Sequence, residues 1–341
     1  MPSRRKKLPN ESPFRLGFAV KVLGAEGLKS NDSRRWQQSP HLRVSLEYLE
    51  RIFDYLERQN IRMYRMSSDI APYVTHPEMP QFHRQIRECA SELRALGRRA
   101  RKLDLRLSFH PSQFIVLNSP DPELVRKSVA DLAAQTEMLD RMELGREAVV
   151  VVHAGGAYGN VRKGCADWIR TYRKLPAPIR RRLVLENDDV RYSASDVLEI
   201  HEATGVPLVF DHQHFCCHNP ERLELRATVE RFLGSWPNDV QPKLHFSSSR
   251  TEMRELARKN PRTGKKELVR QPPIWTGHAD FCQPFEFIAM MRQLAGLAFD
   301  VMIEAKAKDL ALVRLRQDLL RYAPEIAARL LSRQSLPILP S

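Results

Sequence analysis

The chain has 341 residues with 42% hydrophobic and 8% aromatic content, which is the composition of an ordinary globular protein. No apolar run approaches the roughly 18 residues of a membrane-spanning helix, and the basic N-terminus lacks the apolar stretch of a secretory signal. The formal net charge of +14 favours a polyanionic partner, of which nucleic acid is the commonest, although many basic proteins bind none. Five cysteines without a C-x-x-C pair indicate reduced thiols, so we expect a cytoplasmic protein.

Eight short apolar runs alternate with helical patterns along the chain. The predicted strands are 15–20, 62–66, 106–109, 148–152, 183–185, 208–210, 243–246 and 300–303. Helices are predicted near 42–59, 80–103, 122–142, 163–174, 194–203, 220–232 and 309–322. Strands buried on both faces and alternating with helices indicate parallel βαβ units. Eight such units predict an α/β fold that closes into a single-domain (β/α)8 TIM barrel.

Three segments lie outside this alternation. Residues 1–13 are expected to be a flexible basic tail, residues 14–322 the barrel domain and residues 323–341 a C-terminal tail. Residues 247–275 carry RKNPRTGKKELVRQPP and are predicted to be an exposed insertion loop after the seventh strand. A charge run of this kind is most often a solvated loop. Because it follows the carboxyl end of a strand, where barrel loops carry function, contact with a bound polyanion is the alternative.

Histidines and carboxylates close one apolar run after another. A lone histidine is usually structural, so the signal is the set: His76, His110, His153, Glu186, Asp211, His214, His245, His278 and Glu304. The carboxyl ends of parallel strands meet at one end of a barrel, so we expect these side chains to converge there. Mixed imidazole and carboxylate ligands suit Mn²⁺, Zn²⁺ or Fe²⁺ better than Mg²⁺ or Ca²⁺. Nine ligands exceed the need of one ion, which favours two or three ions with Glu186 as a bridge.

A multimetal site on a basic protein suggests phosphodiester hydrolysis, in which the ions activate water and stabilise the leaving oxygen. Positive charge outside the pocket would hold the flanking phosphates.

Two alternatives stay open, a sugar isomerase of the xylose-isomerase kind and a non-catalytic DNA-binding barrel. The excess of histidines and the basic charge count against the sugar isomerase. A metal analysis would test the non-catalytic barrel, because a protein that only binds DNA need not retain two or more ions per chain. The glycines of HAGGAYG lack the spacing of a dinucleotide or Walker motif, so no nucleotide cofactor is expected.

The motifs that contain these residues resemble the UV damage endonuclease family between Phe14 and Tyr322. They are LGFAVKVLG, IRMYRMSSDIAPYVTHP, RLSFHPSQFIVLNSP, VVHAGGAYG, RLVLENDD, VPLVFDHQHFCCH, KLHFSSSR, GHADF and DVMIEAKAKDLALVRLR. The resemblance implies a TIM barrel related to endonuclease IV. It also implies a DNA repair enzyme that nicks damaged double-stranded DNA 5′ to cyclobutane dimers, 6-4 photoproducts and abasic sites. The expected ends are a 3′-hydroxyl and a 5′-phosphate. Two to three divalent ions are implied, most often Mn²⁺, with Zn²⁺ or Co²⁺ as alternatives. We further expect a monomer without membrane contact, associated with the nucleoid if the source is prokaryotic.

The resemblance also assigns roles to single residues. The metal ligands of the family fall on the nine histidines and carboxylates named above, and Glu186, Lys243 and His245 are the expected catalytic residues. Lys243 matches a lysine that can be carboxylated in this family, the alternative being a plain amine that makes a hydrogen bond. Gln113 and Phe114 match residues that probe the duplex at the lesion. Phe18 and Tyr158 are weaker candidates for DNA contacts. Phe18, Val22 and Phe114 stand where family members often have Tyr, Asn and Tyr, which leaves the substrate range open.

Overall fold

Eight parallel strands close into a barrel in the computed structural model, which describes residues 13–330. The barrel strands, in chain order, are β1 (Leu16–Ala19), β2 (Met63–Arg65), β3 (Arg106–Phe109), β4 (Val149–His153), β5 (Leu183–Glu186), β6 (Leu208–Asp211), β7 (Lys243–Phe246) and β10 (Asp300–Ile303). Strand β10 pairs with both β7 and β1, which completes the circle. The predicted TIM barrel is therefore confirmed, and residues 1–12 of the expected N-terminal tail lie outside the described residues.

The helices surround the barrel. They are α1 (Leu42–Arg58), α2 (Gln85–Glu88), α3 (Ala90–Lys102), α4 (Pro122–Arg141), α5 (Val161–Lys174), α6 (Ala177–Arg182), α7 (Ala194–Thr204), α8 (His212–Cys217), α9 (Leu225–Gly234), α10 (Pro284–Gln293), α11 (Lys308–Tyr322) and α12 (Pro324–Ala327). The single helix predicted at 80–103 is wrong, because the chain forms a 3-10 turn at Pro80–Phe82 and then breaks between α2 and α3. The predicted start at residue 220 is also wrong, because the Glu224 side chain caps α9 by accepting from the N–H groups of Arg226 and Ala227.

Alternation along each strand sorts the side chains into two cores. On β6, Leu208 and Phe210 belong to the large cluster shared with the helices, whereas Val209 belongs to a small cluster inside the barrel. Successive strand residues point to opposite faces, so Asp211 shares the inward face with Val209. The same alternation turns Glu186 inward with Val184. The polar residues at the strand ends therefore project into the barrel mouth.

An ion-pair network closes the opposite end of the barrel interior. The Asp300 side chain is completely buried and lies 2.9 Å from Nη1 of Arg106, which is also buried. The same carboxylate accepts from the backbone N–H of Arg15 at 2.8 Å and from Nε2 of Gln241 at 2.9 Å. Arg15 continues the network outward to the exposed Asp104. Each oxygen of Asp300 is thus hydrogen-bonded, which is the condition for a buried charge to be tolerated.

Two regions differ in detail from a plain barrel. The insertion at 247–275 contains an antiparallel hairpin of β8 (Arg254–Lys259) and β9 (Lys266–Gln271), rather than a loop alone. Residues 323–330, at the start of the expected C-terminal tail, form α12 and a bridge between the buried Phe14 and Leu330, and residues 331–341 lie outside the described residues. Within residues 13–330 no helix has the length and apolarity needed to cross a membrane.

We expect Asp300→Asn to lower the free energy of unfolding by about 3–5 kcal/mol, because it leaves the buried Arg106 guanidinium without its counter-charge. Urea denaturation followed by circular dichroism measures this change. The matched control is Asp104→Asn at the exposed end of the same network, where the loss should stay below about 1 kcal/mol. Equal losses in the two variants would contradict the role given to the buried pair.

Candidate metal centre

Four imidazoles surround the carboxylate of Glu186, which is completely buried at the end of β5. Its Oε1 lies 2.8 Å from Nδ1 of His245 and 3.7 Å from Nδ1 of His214. Its Oε2 lies 2.9 Å from Nε2 of His110 and 3.8 Å from Nε2 of His153. Each of these residues lies in or just after a different strand, with His214 in α8 directly after β6, so the closed barrel brings distant parts of the chain to one point.

A second carboxylate, Glu304, extends this cluster on the side of β10. Its Oε1 lies 3.1 Å from Nδ1 of His245, and its Oε2 lies 3.6 Å from Nε2 of His278. Ligand atoms of His110, Glu186, His245 and Glu304 lie within 4.8 Å of one another. A second group of three residues, which consists of Glu186, Asp211 and His214, shares Glu186 with the first. This shared carboxylate is the geometry that a bridging ligand requires.

The donor set fits divalent ions. Within the described residues, Oδ2 of Asp211, Nε2 of His245 and Nδ1 of His153 are buried without a hydrogen-bond partner. Buried polar atoms are rarely left unpaired, and an ion is one of the accepted explanations for such an exception. Nitrogen and oxygen donors without a thiolate suit Mn²⁺ or Zn²⁺. The structure therefore supports a site for divalent ions, and the identity of the metal is a separate question.

Burial and neighbouring charge give these groups the protonation states that metal ligands need. Burial lowers the pKa of His110 and of His153, which keeps their lone pairs free at neutral pH. Burial alone would raise the pKa of Glu186, but the imidazoles of His245 and His153 hold it well below its usual range. For His214, burial lowers the pKa, and the Asp211 and Glu186 carboxylates outweigh this effect and raise it to about 9. Ion binding at His214 therefore has to displace a proton.

A chain of hydrogen bonds fixes the ring of His278. The amide nitrogen of the buried Gln213 donates to the carbonyl oxygens of Trp275 and Gly277, both at 3.2 Å, so its oxygen has to face Ser247. The Ser247 hydroxyl donates its only proton to that oxygen and accepts from Nδ1 of His278 at 2.5 Å. The proton of His278 is therefore on Nδ1, and the lone pair of Nε2 faces Glu304. Sequence reasoning missed Gln213 and Ser247, although both stand within two residues of predicted ligands.

Two basic side chains lie against the cluster from inside the barrel. Arg65 on β2 is buried and forms an ion pair with Glu304, which holds the pKa of that carboxylate well below its usual range against the effect of burial. Lys243 on β7 is 1% exposed, and its Nζ has no hydrogen-bond partner among the described residues. Burial and the nearby Arg106 and Arg65 lower the pKa of Lys243 well below its usual value. A lone arginine inside the apolar run MYRM is the sequence signal that could have identified Arg65.

One of the nine predicted ligands does not join the others. His76 lies in the loop between β2 and the turn at Pro80–Phe82, and it is half-buried. In the part of the chain that the structure describes, its contacts are with Tyr73, Glu78, Met79 and His83, and none is with the cluster. The position within a long loop, rather than at a strand end, is the physical reason. The remaining eight predicted ligands converge as described.

The predicted DNA contacts divide into exposed and buried residues. Phe114, 72% exposed, and the exposed Gln113 lie in the loop that follows His110. Tyr158 is 54% exposed in the loop after β4. Phe18 is completely buried and packs edge-on against Tyr64 among the side chains that face the helices, with a centroid distance of 5.4 Å. The expectation that Phe18 contacts DNA is thus corrected, because strand alternation turns it away from the barrel mouth.

Comparison with solved structures supports the barrel. The crystal structure of SacUVDE has a TM-score of 0.73 and 25% sequence identity, and it covers 90% of this chain and 98% of that chain. The D-psicose 3-epimerase of Clostridium cellulolyticum H10 has a TM-score of 0.52 at 12% identity, over 92% of this chain and 99% of that chain. At such low identity the epimerase shares the fold alone, and it adds nothing to the sugar isomerase alternative.

Comparison with known sequences identifies the family. The UV DNA damage endonuclease of Bacillus velezensis is 33% identical over 273 residues, which are 79% of this chain and 78% of that protein. A UV DNA damage endonuclease of Bacillus cereus is 33% identical over 282 residues, which are 82% and 81% of the two chains. The sequence model of the family described as UV-endonuclease UvdE matches residues 34–329. Because this match spans most of the chain, the protein belongs to the UV-endonuclease UvdE family.

Proposed function

We propose that the protein is a metal-dependent endonuclease that nicks DNA on the 5′ side of cyclobutane dimers, 6-4 photoproducts and abasic sites, leaving a 3′-hydroxyl and a 5′-phosphate. The observation that carries this proposal is the convergence of eight histidine and carboxylate side chains around Glu186 at the carboxyl end of the barrel. Family membership supplies the substrate class. The net charge of +14 fits a phosphodiester substrate.

The two ligand groups that share Glu186 support at least two divalent ions, with Mn²⁺ favoured and Zn²⁺ or Co²⁺ as alternatives. Such ions polarise a phosphate, lower the pKa of water and stabilise a leaving oxygen. The chain itself holds the donors in place, since Glu186 contacts four imidazoles. Arg65, which is buried, offsets the charge of Glu304.

Lys243 is proposed as a site of carboxylation. A neutral amine attacks carbon dioxide, forms a carbamate and releases one proton, so that the side chain becomes anionic. The lowered pKa of Lys243 favours the neutral amine. Its Nζ makes no hydrogen bond that carboxylation would break. The carbamate would add an oxygen donor next to Glu186 and Glu304, whose carboxylates are the acidic groups that act on Lys243.

Lesion recognition is proposed for Phe114 with Gln113. Insertion of an apolar wedge between base steps costs a few kcal/mol of unstacking, and a damaged step costs less. A ring that is 72% exposed beside His110 contributes little to the core, so stacking on DNA is the better account of it. Tyr158, in the loop after β4, is proposed to contact the backbone.

Replacement of Glu186 by Gln should reduce nicking at least about 100-fold and remove bound Mn²⁺, because the shared carboxylate charge is lost. The measurements are metal content by mass spectrometry and nicking of a duplex that carries one cyclobutane dimer. Glu47→Gln, an exposed change on α1, is the control and should keep both. Normal nicking by the Glu186 variant, or no nicking by the wild type above an undamaged duplex, would overturn the proposed function.

Phe114→Ala should lower nicking of the dimer-containing duplex about 10- to 100-fold, since base–aromatic stacking contributes about 1–3 kcal/mol. Metal content and melting temperature should not change, because the ring is exposed. Phe114→Tyr should retain most activity. The control is Phe285→Ala, which removes a comparably exposed ring that packs on Tyr322. Unchanged nicking by Phe114→Ala would show that the ring does not read the lesion.

Ser247→Ala should weaken Mn²⁺ binding about 10- to 100-fold, because the tautomer of His278 is no longer fixed. Titration calorimetry of the metal-free protein measures this, and saturating Mn²⁺ should restore much of the nicking. Ser248→Ala is a matched control, since the buried neighbouring hydroxyl bonds Glu286 at 2.6 Å and contacts none of the proposed ligands. Identical Mn²⁺ affinity in the wild type and the Ser247 variant would contradict the hydrogen-bond chain.

A further inference from the structure

The hairpin of β8 and β9 rises from the rim of the metal centre. Its flanking residues are fixed there by an antiparallel bridge between Ser249 and His278 and by the hydrogen bond from the Arg250 N–H to the Gly277 carbonyl, at 2.8 Å. At the other edge of this bridge the Ala279 N–H donates to the carbonyl of Ser248 at 2.9 Å. The base of the hairpin is therefore directly attached to the chain around a proposed ligand, and its position relative to the site is set by backbone hydrogen bonds.

The hairpin is exposed on both faces. In β8 and β9 only Arg254, Leu256 and Gln271 are half-buried, and the remaining residues are exposed. Leu268 is 74% exposed. A two-stranded hairpin is marginally stable alone, and one whose residues are mostly exposed contributes little to the stability of the barrel. Stabilisation of the barrel is therefore a weak explanation for the presence of the hairpin.

The charges of the hairpin are strongly one-sided. Residues 254–271 contain seven lysines and arginines and two glutamates. Of the described carboxylates, none forms an ion pair with the five cations of the distal half, which are Arg258, Lys259, Arg262, Lys265 and Lys266. Glu267 is held instead by Nδ2 of Asn260, at 2.9 Å from each oxygen. The distal half is thus an uncompensated cationic surface.

The pairing of β8 with β9 also places two positive charges of the hairpin opposite each other. Lys259 lies directly opposite Lys266 in the register, at the end of the ladder next to the turn. Like charges at directly opposite positions destabilise a strand pair. Phosphate groups placed against this end of the hairpin would remove the repulsion. The arrangement disfavours the free hairpin and favours the hairpin bound to a polyanion.

We propose that this hairpin is a phosphate-binding arm that lies along the DNA duplex beside the lesion. The inference rests on the proposed function, since the attached metal centre is what brings DNA to the rim. A six-residue strand spans about 20 Å, and base pairs are spaced by about 3.4 Å. The arm therefore reaches phosphates about six base pairs from its base. The contact is independent of sequence, because it uses lysines and arginines on backbone phosphates.

The test uses the triple variant Lys259→Gln, Arg262→Gln and Lys266→Gln in the full chain. Its matched control is Arg98→Gln, Lys102→Gln and Lys174→Gln, which removes the same charge from exposed helix positions elsewhere on the barrel. Apparent affinity for a dimer-containing duplex is taken from the DNA dependence of nicking between about 50 and 200 mM salt. The arm variant should bind at least about tenfold more weakly at the middle of this range. Its log–log salt slope should fall by about 2–3, because each lost phosphate contact contributes about 0.9.

Further readouts separate the arm from the chemistry. Nicking at saturating DNA should equal that of the wild type, and the melting temperature should stay equal or rise, because the Lys259–Lys266 repulsion is gone. Trimming the duplex to about four base pairs on the side of the arm should weaken DNA binding by the wild type and leave binding by the arm variant unchanged.

If the wild type nicks the lesion but the arm variant has the affinity and salt slope of the control, the proposed role of the arm is refuted while the proposed function stands. A loss of maximal nicking with unchanged affinity would refute it as well. Absence of nicking by the wild type would instead refute the proposed function, and the arm with it.

Discussion

A carboxylate that is completely buried among imidazoles, Glu186, is the constraint on which the rest of the structure depends. A buried carboxylate without compensation is very unfavourable, so its neighbours have to supply positive charge or hydrogen bonds. Here they are four histidines, which lie directly after β3, in β4, in β7 and in α8. Only a closed barrel brings so many separate strand ends to one carboxylate. The closure of the sheet is thus a requirement of the site as well as of the fold.

The interior of the barrel is divided into layers along its axis. At one end Asp300 compensates Arg106 and Arg15, and the remaining interior there is filled by Val149, Val184 and other small apolar residues. At the other end the carboxylates and imidazoles collect. Lys243 lies between the two layers. Burial lowers its pKa, and the positive charges of Arg106 and Arg65 lower it further. Arg106, which pairs with Asp300 at the closed end, therefore also helps to lower the pKa of the lysine next to the candidate metal centre.

The strands and most of the residues that converge in the candidate metal centre could be predicted from the sequence because both follow from alternation. A buried parallel strand is a short apolar run, and a polar residue at its carboxyl end has to lie at the barrel mouth, as Glu186 and Asp211 do. Residues away from strand ends follow no such rule. His76 lies in a long loop, and Phe18 lies within a strand on the face that packs against the helices. The hydrogen-bond chain through Gln213 depends on contacts with Trp275 and Gly277, more than sixty residues later, which no local pattern encodes.

The same chain of hydrogen bonds links the two parts of the molecule that are proposed to act on DNA. Gln213 follows β6 and holds the carbonyls of Trp275 and Gly277, which end the segment that carries the hairpin. Ser247, which precedes this segment, bonds both Gln213 and His278. The position of the hairpin and the orientation of His278 are therefore set by one group of contacts. If DNA contacts the hairpin as proposed, these hydrogen bonds are the direct physical connection between the hairpin and the ring of His278.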